Sequence, residues 1–363
     1  MNEWTGKLLR IRDLAAKHGL DAIHLKRVSS FAWATCGASS YINTASSDGV
    51  ASLLITPQGQ YLITNNIEVS RLDREEKLAA QGWDFRTAAW FENGSQLDEL
   101  TRGMKLGADG LLPGAVDLSS EITHLRADLT PEEGERFRTL GQLCAQAMQA
   151  AIQSVHPGQT EYEIAGRLAG EAGRLGLQAT VNLIATDERI FQYRHPLPTD
   201  KKLERYAMLV LCGRRWGLVC SITRLVHFGR LPRELGEKAE ATARVDAAFI
   251  SATRPGSVLG QVFERSVQVY AKLGYPDEWQ KHHQGGPAGY EPREVLATPH
   301  STEVITSGQV YAWNPSITGT KSEDSVLVSE NGHEVLTRIP GWPEILVDVN
   351  GESLARPAIL VLE

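Results

Sequence analysis

Two stretches of this chain, offset by 98 residues, carry the same pattern: a helical run closing on Pro-Gly, a second helical run, and a further glycine 18 residues on. The first passes through His156-Pro157-Gly158 to Arg174-Leu175-Gly176, the second through Arg254-Pro255-Gly256 to Lys272-Leu273-Gly274. Proline cannot continue a helix and glycine accepts the left-handed backbone that ends one, so each copy reads as helix, turn, helix. Strand-like sequence follows each, at 207–211 and 310–313. The pattern predicts two related α/β halves sandwiching one sheet; its alternative is coincidence, since Pro-Gly commonly joins helices.

Upstream, residues 7–18 read as a helix, and the apolar, β-branched runs at 50–56 and 60–64 flank Pro57-Gln58-Gly59 as a hairpin. Thr130-Pro131-Glu132-Glu133 combines an N-cap hydroxyl, proline at the first helical position and acids in the first turn, which is a helix start. These signals divide the chain into a mixed α/β domain over 1–128 and a second domain over 129–363. With 363 residues, 42% hydrophobic and 22% charged, the chain exceeds the usual size of one domain. Net charge is −7, from 44 acidic and 37 basic residues, and no lysine/arginine run is long enough to follow a polyanion. Nucleic acid and membrane surfaces are therefore not expected partners. No apolar stretch approaches the roughly 20 residues of a membrane span, and a cytoplasmic location is expected. Cys36, Cys144, Cys212 and Cys220 are scattered without the spacing of a zinc site or disulfide framework, and read as reduced thiols.

Three stretches between positions 211 and 324 narrow the fold. They are Leu211-Cys212-Gly213 with Ser221-Ile222-Thr223-Arg224, then Gly285-Gly286-Pro287-Ala288-Gly289, then Asn314-Pro315 with Glu323-Asp324. In order and spacing they resemble the creatinase/aminopeptidase P/prolidase family. The resemblance implies a two-domain fold, with a mixed α/β N-terminal domain and a C-terminal "pita-bread" domain of pseudo-twofold α/β halves around a cleft. It covers nearly the whole chain, its specific part running from Tyr193 to Asp324. In the metallopeptidase members these frames read Asp-x-Gly, Ser-Asp-x-Thr-Arg, Gly-His-x-x-Gly, Glu-Pro-Gly and Glu-Asp, and supply two Asp, one His and two Glu to a pair of divalent ions. Here the ligand positions hold Leu211 or Cys212, depending on where the gap is set, then Ser221, Gly286, Asn314 and Glu323. Two dications need bridging carboxylates, and hard ions favour oxygen and imidazole donors. One carboxylate will not hold a metal pair, so no metal and no other cofactor is expected.

The resemblance also suggests what remains in the cleft. His195, in Tyr193-Arg194-His195-Pro196, falls where the family places a proton-passing histidine, and imidazole serves as acid or base near neutral pH. Its alternative is a capping or surface role. His282 matches a second substrate-side histidine; adjacent His283 has no counterpart and reads as structural or solvent-facing. Arg293 replaces a family histidine, and Tyr290-x-x-Arg293-Glu294 resembles the corresponding loop of creatinase, which hydrolyses a C–N bond without metal. Arg293, Lys321 and Arg224 suit a substrate carboxylate, unless Arg224 and Lys321 pair with Glu323 and Glu294 and hold strands together. Tyr290 and Trp313, with Trp216, either wall a pocket or belong to the core. Ser221, Cys212 and Cys220 lack a visible partner base and read as filling vacated ligand space rather than as nucleophiles.

Three functions follow. The first is metal-independent hydrolysis of a small amide or amidine C–N bond, with His195 as acid/base, Glu323 or Glu294 orienting it or activating water, and Arg293 or Lys321 holding an anionic group. The second is a catalytically inactive member that binds peptides or small molecules. The third is an Xaa-Pro peptidase with an atypical metal site. The expected ligand in each case is a small molecule or short peptide, and the resemblance alone implies a homodimer.

Overall fold

A computed structural model describes residues 2–92 and 95–363. The chain falls into two compact units, one of Met1–Ala127 with Trp216–Leu218 and the other of Asp128–Arg215 with Val219–Glu363.

The first unit is built on a six-stranded sheet from β1 (Ala22–Arg27), β2 (Asp48–Ile55), β3 (Gln60–Asn65), β4 (Asp84–Ala88), β5 (Leu106–Ala108) and β6 (Ala115–Asp117), in the order β4-β3-β2-β1-β5-β6. The hairpin expected around Pro57 is the antiparallel β2–β3 pair, with Ile55 opposite Gln60. The helix Glu3–Lys17 starts where the Asn2 side chain accepts the Thr5 N–H at 3.1 Å. It buries Leu8, Ile11, Leu14 and Ala15, one stripe at helical spacing.

The second unit opens at the expected helix start. Thr130 and Glu133 form a reciprocal capping box at the head of the helix Pro131–Gln153, and Thr160 and Glu163 do the same for Glu161–Arg174. The second copy of the repeat is the pair Arg233–Ala252 and Leu259–Lys272. Its two second helices end alike, on Gly176 at φ 72° and Gly274 at φ 89°, the left-handed position that the repeat reserves for glycine.

The strands of this unit are β7 (Gln178–Thr186), β8 (Tyr206–Arg215), β9 (Leu218–Phe228), β10 (Gly285–Ala288), β11 (Val310–Trp313), β12 (Ser316–Ile317), β13 (Thr320–Lys321), β14 (Asp324–Ser329), β15 (Gly332–Val335), β16 (Glu344–Val349), β17 (Glu352–Pro357) and β18 (Leu360–Leu362). The repeat predicts one sheet; the strands instead form two four-stranded sheets, β18-β9-β8-β7 and β10-β11-β14-β15, and two two-stranded ones, β12-β13 and β16-β17. The two sheets meet along β9, where the Val219 N–H donates to the Gly289 carbonyl at 2.9 Å, the Ser221 N–H donates to Ser325 Oγ at 2.9 Å and Ser325 Oγ donates to the Ser221 carbonyl at 3.1 Å. There Thr223 on β9 bridges Glu323, its N–H donating to the Glu323 carbonyl at 3.2 Å.

An ion pair crosses this junction, and the core under the β10-β11-β14-β15 sheet lies beside it. Trp313 stacks on Phe249 with centroids 4.5 Å apart, and its indole N–H donates to Thr253 Oγ1 at 3.0 Å. Beside it runs a buried ionic chain: Arg224 pairs with Asp324 at 2.8 Å, and Arg356 pairs with both Asp324 and Asp246 at 2.7 Å. Among the described residues no helix is long and apolar enough to cross a membrane.

Candidate functional site

Glu323 precedes β14 and is 2% exposed. The strand bridge aims its carboxylate at β9, where the Thr223 hydroxyl donates to Oε2. Two cations then converge on it. Arg293, in the loop after β10, donates from Nη2 to Glu323 Oε1 at 2.9 Å, and the Lys321 ammonium lies 3.1 Å from Oε2. Arg293 is locked further: its Nη1 donates to Ser221 Oγ at 3.0 Å and to its neighbour's carbonyl at Pro292 at 2.6 Å. Burial acts to raise the Glu323 pKa, but Lys321, Arg293 and the Thr223 hydrogen bond win and hold it at about 2.

Ser221 Oγ lies 3.3 Å from Cys212 Sγ, so Cys212, Ser221, Arg293 and Glu323 form one contiguous polar strip. Successive strand residues face opposite ways. Cys212 and Val210 therefore line the cleft with Val181 of β7, whereas Leu211 is buried away from it, so the first ligand position within the cleft falls to Cys212. Burial pushes the Cys212 thiol up to about 11, far from a ready thiolate.

These residues do not fit a pair of hard dications. The donors at the five positions are a protonated thiol, a hydroxyl, no side chain, an amide and one carboxylate, and both oxygens of that carboxylate already face cations. The third absence is built into the backbone. Gly286 sits at φ 154°, and a Cβ placed there meets the Val295 carbonyl oxygen at 2.2 Å. A histidine at this position requires the 293–297 segment to move. The guanidinium of Arg293 occupies the gap between Ser221 and Glu323, two positions that carry metal ligands in the resemblance.

The cleft has a volume of about 660 Å³. Val181, Leu183, Leu197, Val210 and Leu296 give it apolar walls, and Glu323 is the only carboxylate lining it among the described residues. Arg293 and Lys321 therefore leave one positive charge in excess. Lys321 gives one contact to Glu323 and keeps further N–H groups for a ligand; the Arg293 Nε has no partner among the described residues and is itself buried.

Opposite this strip, three imidazoles gather. His195 follows the short helix Glu188–Gln192, and His282 and His283 follow the 3-10 turn Glu278–Lys281. The two segments are tied by the Arg194–Glu278 ion pair at 2.6 Å, and Glu278 also accepts from the Thr318 N–H and hydroxyl at 2.9 Å. The fully buried Gln284 donates to the His282 carbonyl at 2.6 Å and accepts from Tyr270 Oη at 2.8 Å. His195 Nε2 and His282 Nε2 are 3.0 Å apart, a hydrogen bond in which one ring is donor and the other acceptor. His283 stacks on His282 with centroids 4.4 Å apart. Burial and Lys321 lower the His195 and His282 pKa values, His282 to about 2; burial and Arg293 lower His283 to about 4. All three are neutral at physiological pH.

Several residues singled out in sequence lie elsewhere. Arg224 belongs to the buried chain with Asp324, on the other side of the strand junction. Tyr290 is buried and donates to Glu133 at 2.7 Å, and Trp313 is core. Glu294 accepts the Tyr290 N–H at 2.7 Å and closes its own loop rather than lining the cleft. His283, read as structural or solvent-facing, is half-buried and lines the cleft, because the 3-10 turn brings it beside His282. Sequence reasoning left Arg194, Gln284 and the walls Val181, Leu183, Leu197 and Leu296 without a role. Thr223 was visible within its frame, but its bond to Glu323 depends on the strand bridge.

The sequence profile of metallopeptidase family M24 matches residues 135–330. An uncharacterized peptidase of Staphylococcus aureus is 25% identical over 240 residues, a match spanning 62% of this chain and 66% of the relative, just under two thirds of its length. Among solved structures, the chain is similar to an Xaa-Pro dipeptidase from Bacillus anthracis, with a TM-score of 0.81 at 19% identity over 99% of this chain and 100% of the other. It is likewise similar to the prolidase from Pyrococcus horikoshii, with a TM-score of 0.79 at 20% identity over 92% and 98%. At such identities the likeness establishes the two-domain prolidase-type fold.

Proposed function

We propose that this chain, which belongs to metallopeptidase family M24, cleaves a small amide or amidine C–N bond without the family's paired metal ions, on a substrate that carries a carboxylate. The observation that carries this reading is the seating of Arg293 and Lys321 on the surviving Glu323, where a guanidinium and an ammonium stand in place of two dications. The unspent N–H groups of Lys321 and the excess positive charge suit a carboxylate, bound by charge-assisted hydrogen bonds, while the aliphatic walls take an apolar body.

The proton chemistry falls to His195. When its Nε2–H donates to His282 Nε2, the Nδ1 lone pair is left for the substrate side. In this reading His195 Nδ1 takes a proton from water as the water oxygen bonds to the carbonyl carbon and the C=O electron pair moves to oxygen. The imidazolium then strengthens its bond to His282. As the C=O re-forms and the C–N bond breaks, the same proton passes to the leaving nitrogen, giving a carboxylic acid and an amine. Burial and Lys321 keep His195 unprotonated at neutral pH, ready to accept.

A second reading, binding without turnover, is favoured by one observation. Both Glu323 oxygens are held by cations, so this carboxylate is a poor base for water. The test is a screen of N-acyl amino acids and small carboxylate-bearing amidines in the presence of a chelator, with hydrolysis and binding followed separately. Turnover that disappears in His195→Ala while binding persists supports the hydrolase. Binding without turnover in the wild type supports the second reading, and neither binding nor turnover contradicts both.

A further inference from the structure

His195, His282 and His283 each offer one ring nitrogen, and these atoms all lie within 4.8 Å of one another. A tetrahedral zinc-type ion holds nitrogens at about 2.0–2.1 Å, which sets them about 3.3 Å apart. The separation of 3.0 Å between His195 and His282 is slightly shorter than this and the 4.8 Å limit is longer, so closing on one ion takes movements of about 1 Å. The scaffold is already ordered for it, by the Arg194–Glu278 pair on one side and Gln284 on the other. His283 Nδ1 is buried and finds no hydrogen-bond partner among the described residues.

We propose that His195, His282 and His283 form a site for a single divalent transition cation of the zinc class. Three imidazoles suit such borderline ions and not hard ones. His195 and His283 line the main cleft, so the fourth coordination position opens onto it, as in sites that keep water or an anion there. Lys321 and Arg293 oppose a cation and Glu323 offsets one of them, so an anionic fourth ligand is preferred. None of the three histidines occupies one of the five positions at which the family's metal ligands are expected. Once bound, the ion takes the His195 lone pair and stops proton transfer through it; this consequence alone rests on the hydrolytic reading above.

The experiment loads the full-length chain with Co²⁺ or Zn²⁺, desalts it, and measures metal content together with the visible absorption of tetrahedral cobalt. One ion per chain with that absorption is expected. His282→Gln and His283→Gln should each weaken retention at least tenfold. Cys212→Ala and Asn314→Ala, which remove the competing cleft donors, should leave it unchanged. Should the histidine variants fold poorly, ring resonances of the wild type replace them: zinc should shift three of the ten histidines. No retained ion, retention unaffected by the histidine variants, or retention lost in Cys212→Ala would overturn the site, whatever the hydrolysis screen shows.

Discussion

Arg293 Nη2 lies 2.9 Å from Glu323 Oε1, with both side chains almost wholly buried, and Lys321 closes on the other oxygen at 3.1 Å. The three charges form a unit in which each cation offsets the desolvation of the carboxylate. Removing one partner of a buried pair costs about 3–5 kcal/mol, since the remaining charge is left without compensation.

Arg293→Gln should therefore destabilise the second unit by about 3 kcal/mol, the lower end of that range, because Lys321 still faces Glu323. The same change should weaken binding of a carboxylate ligand by about tenfold or more, corresponding to about 1.4 kcal/mol or more. Denaturant unfolding and calorimetric titration measure the two effects separately. Unchanged stability and unchanged ligand affinity would remove Arg293 from both roles.

Acid should destabilise the protein through the same cleft. His282 and His283 have folded-state values of about 2 and about 4, below their ordinary 6.5, so below pH 6.5 the unfolded chain binds more protons than the folded one. Their neutral forms favour the fold fully above pH 6.5, and that contribution declines as pH falls from there, through about 4 for His283 and on toward 2 for His282. Glu323 adds a further loss as pH falls from 4.5 toward 2. Urea midpoints should drop between about pH 7 and pH 5, and the drop should be smaller in a His282→Asn, His283→Asn double variant.

Gly286→Ala should destabilise by at least about 2 kcal/mol, since the added methyl meets the Val295 carbonyl oxygen at 2.2 Å. Gly286→His should be worse and should not recruit metal. A stable Gly286→His variant that binds manganese would show that the loop yields and that this ligand position is open.

Arg194→Met leaves the imidazoles intact but cuts their tie to Glu278 at 2.6 Å. If the hydrolytic reading holds, kcat should fall by about tenfold or more with KM little changed, since positioning of the acid/base is lost and the carboxylate anchor is not. A change confined to KM would place Arg194 in ligand binding instead.

Much of this was legible in the sequence, for reasons that differ by residue. The Pro-Gly repeat and the Thr130 start are local signals, satisfied by the helix's own capping and termination. Ligand-position chemistry was legible too, since absence of a carboxylate needs no geometry. Choosing Cys212 over Leu211 required the pairing register of β8, which fixes the face a side chain takes. The single expected sheet is divided in two because β9 meets the second sheet through one bridge and scattered hydrogen bonds rather than a regular ladder, and nothing in the repeat marks that break. Trp313 and Tyr290 look alike as pocket walls or core in sequence, and their hydrogen bonds to Thr253 and Glu133, far along the chain, settle them as core. His283 joins the cleft through a turn whose direction no periodicity encodes.

The central claim is that two side-chain cations have replaced two metal ions on Glu323. Manganese, a hard ion that favours carboxylates over imidazole alone, tests it most directly: the protein is incubated with excess Mn²⁺, desalted, and its manganese measured per chain. Near-zero manganese, with the protein folded, is the predicted result. One or two tightly held manganese ions per chain, lost in Glu323→Gln, would contradict it.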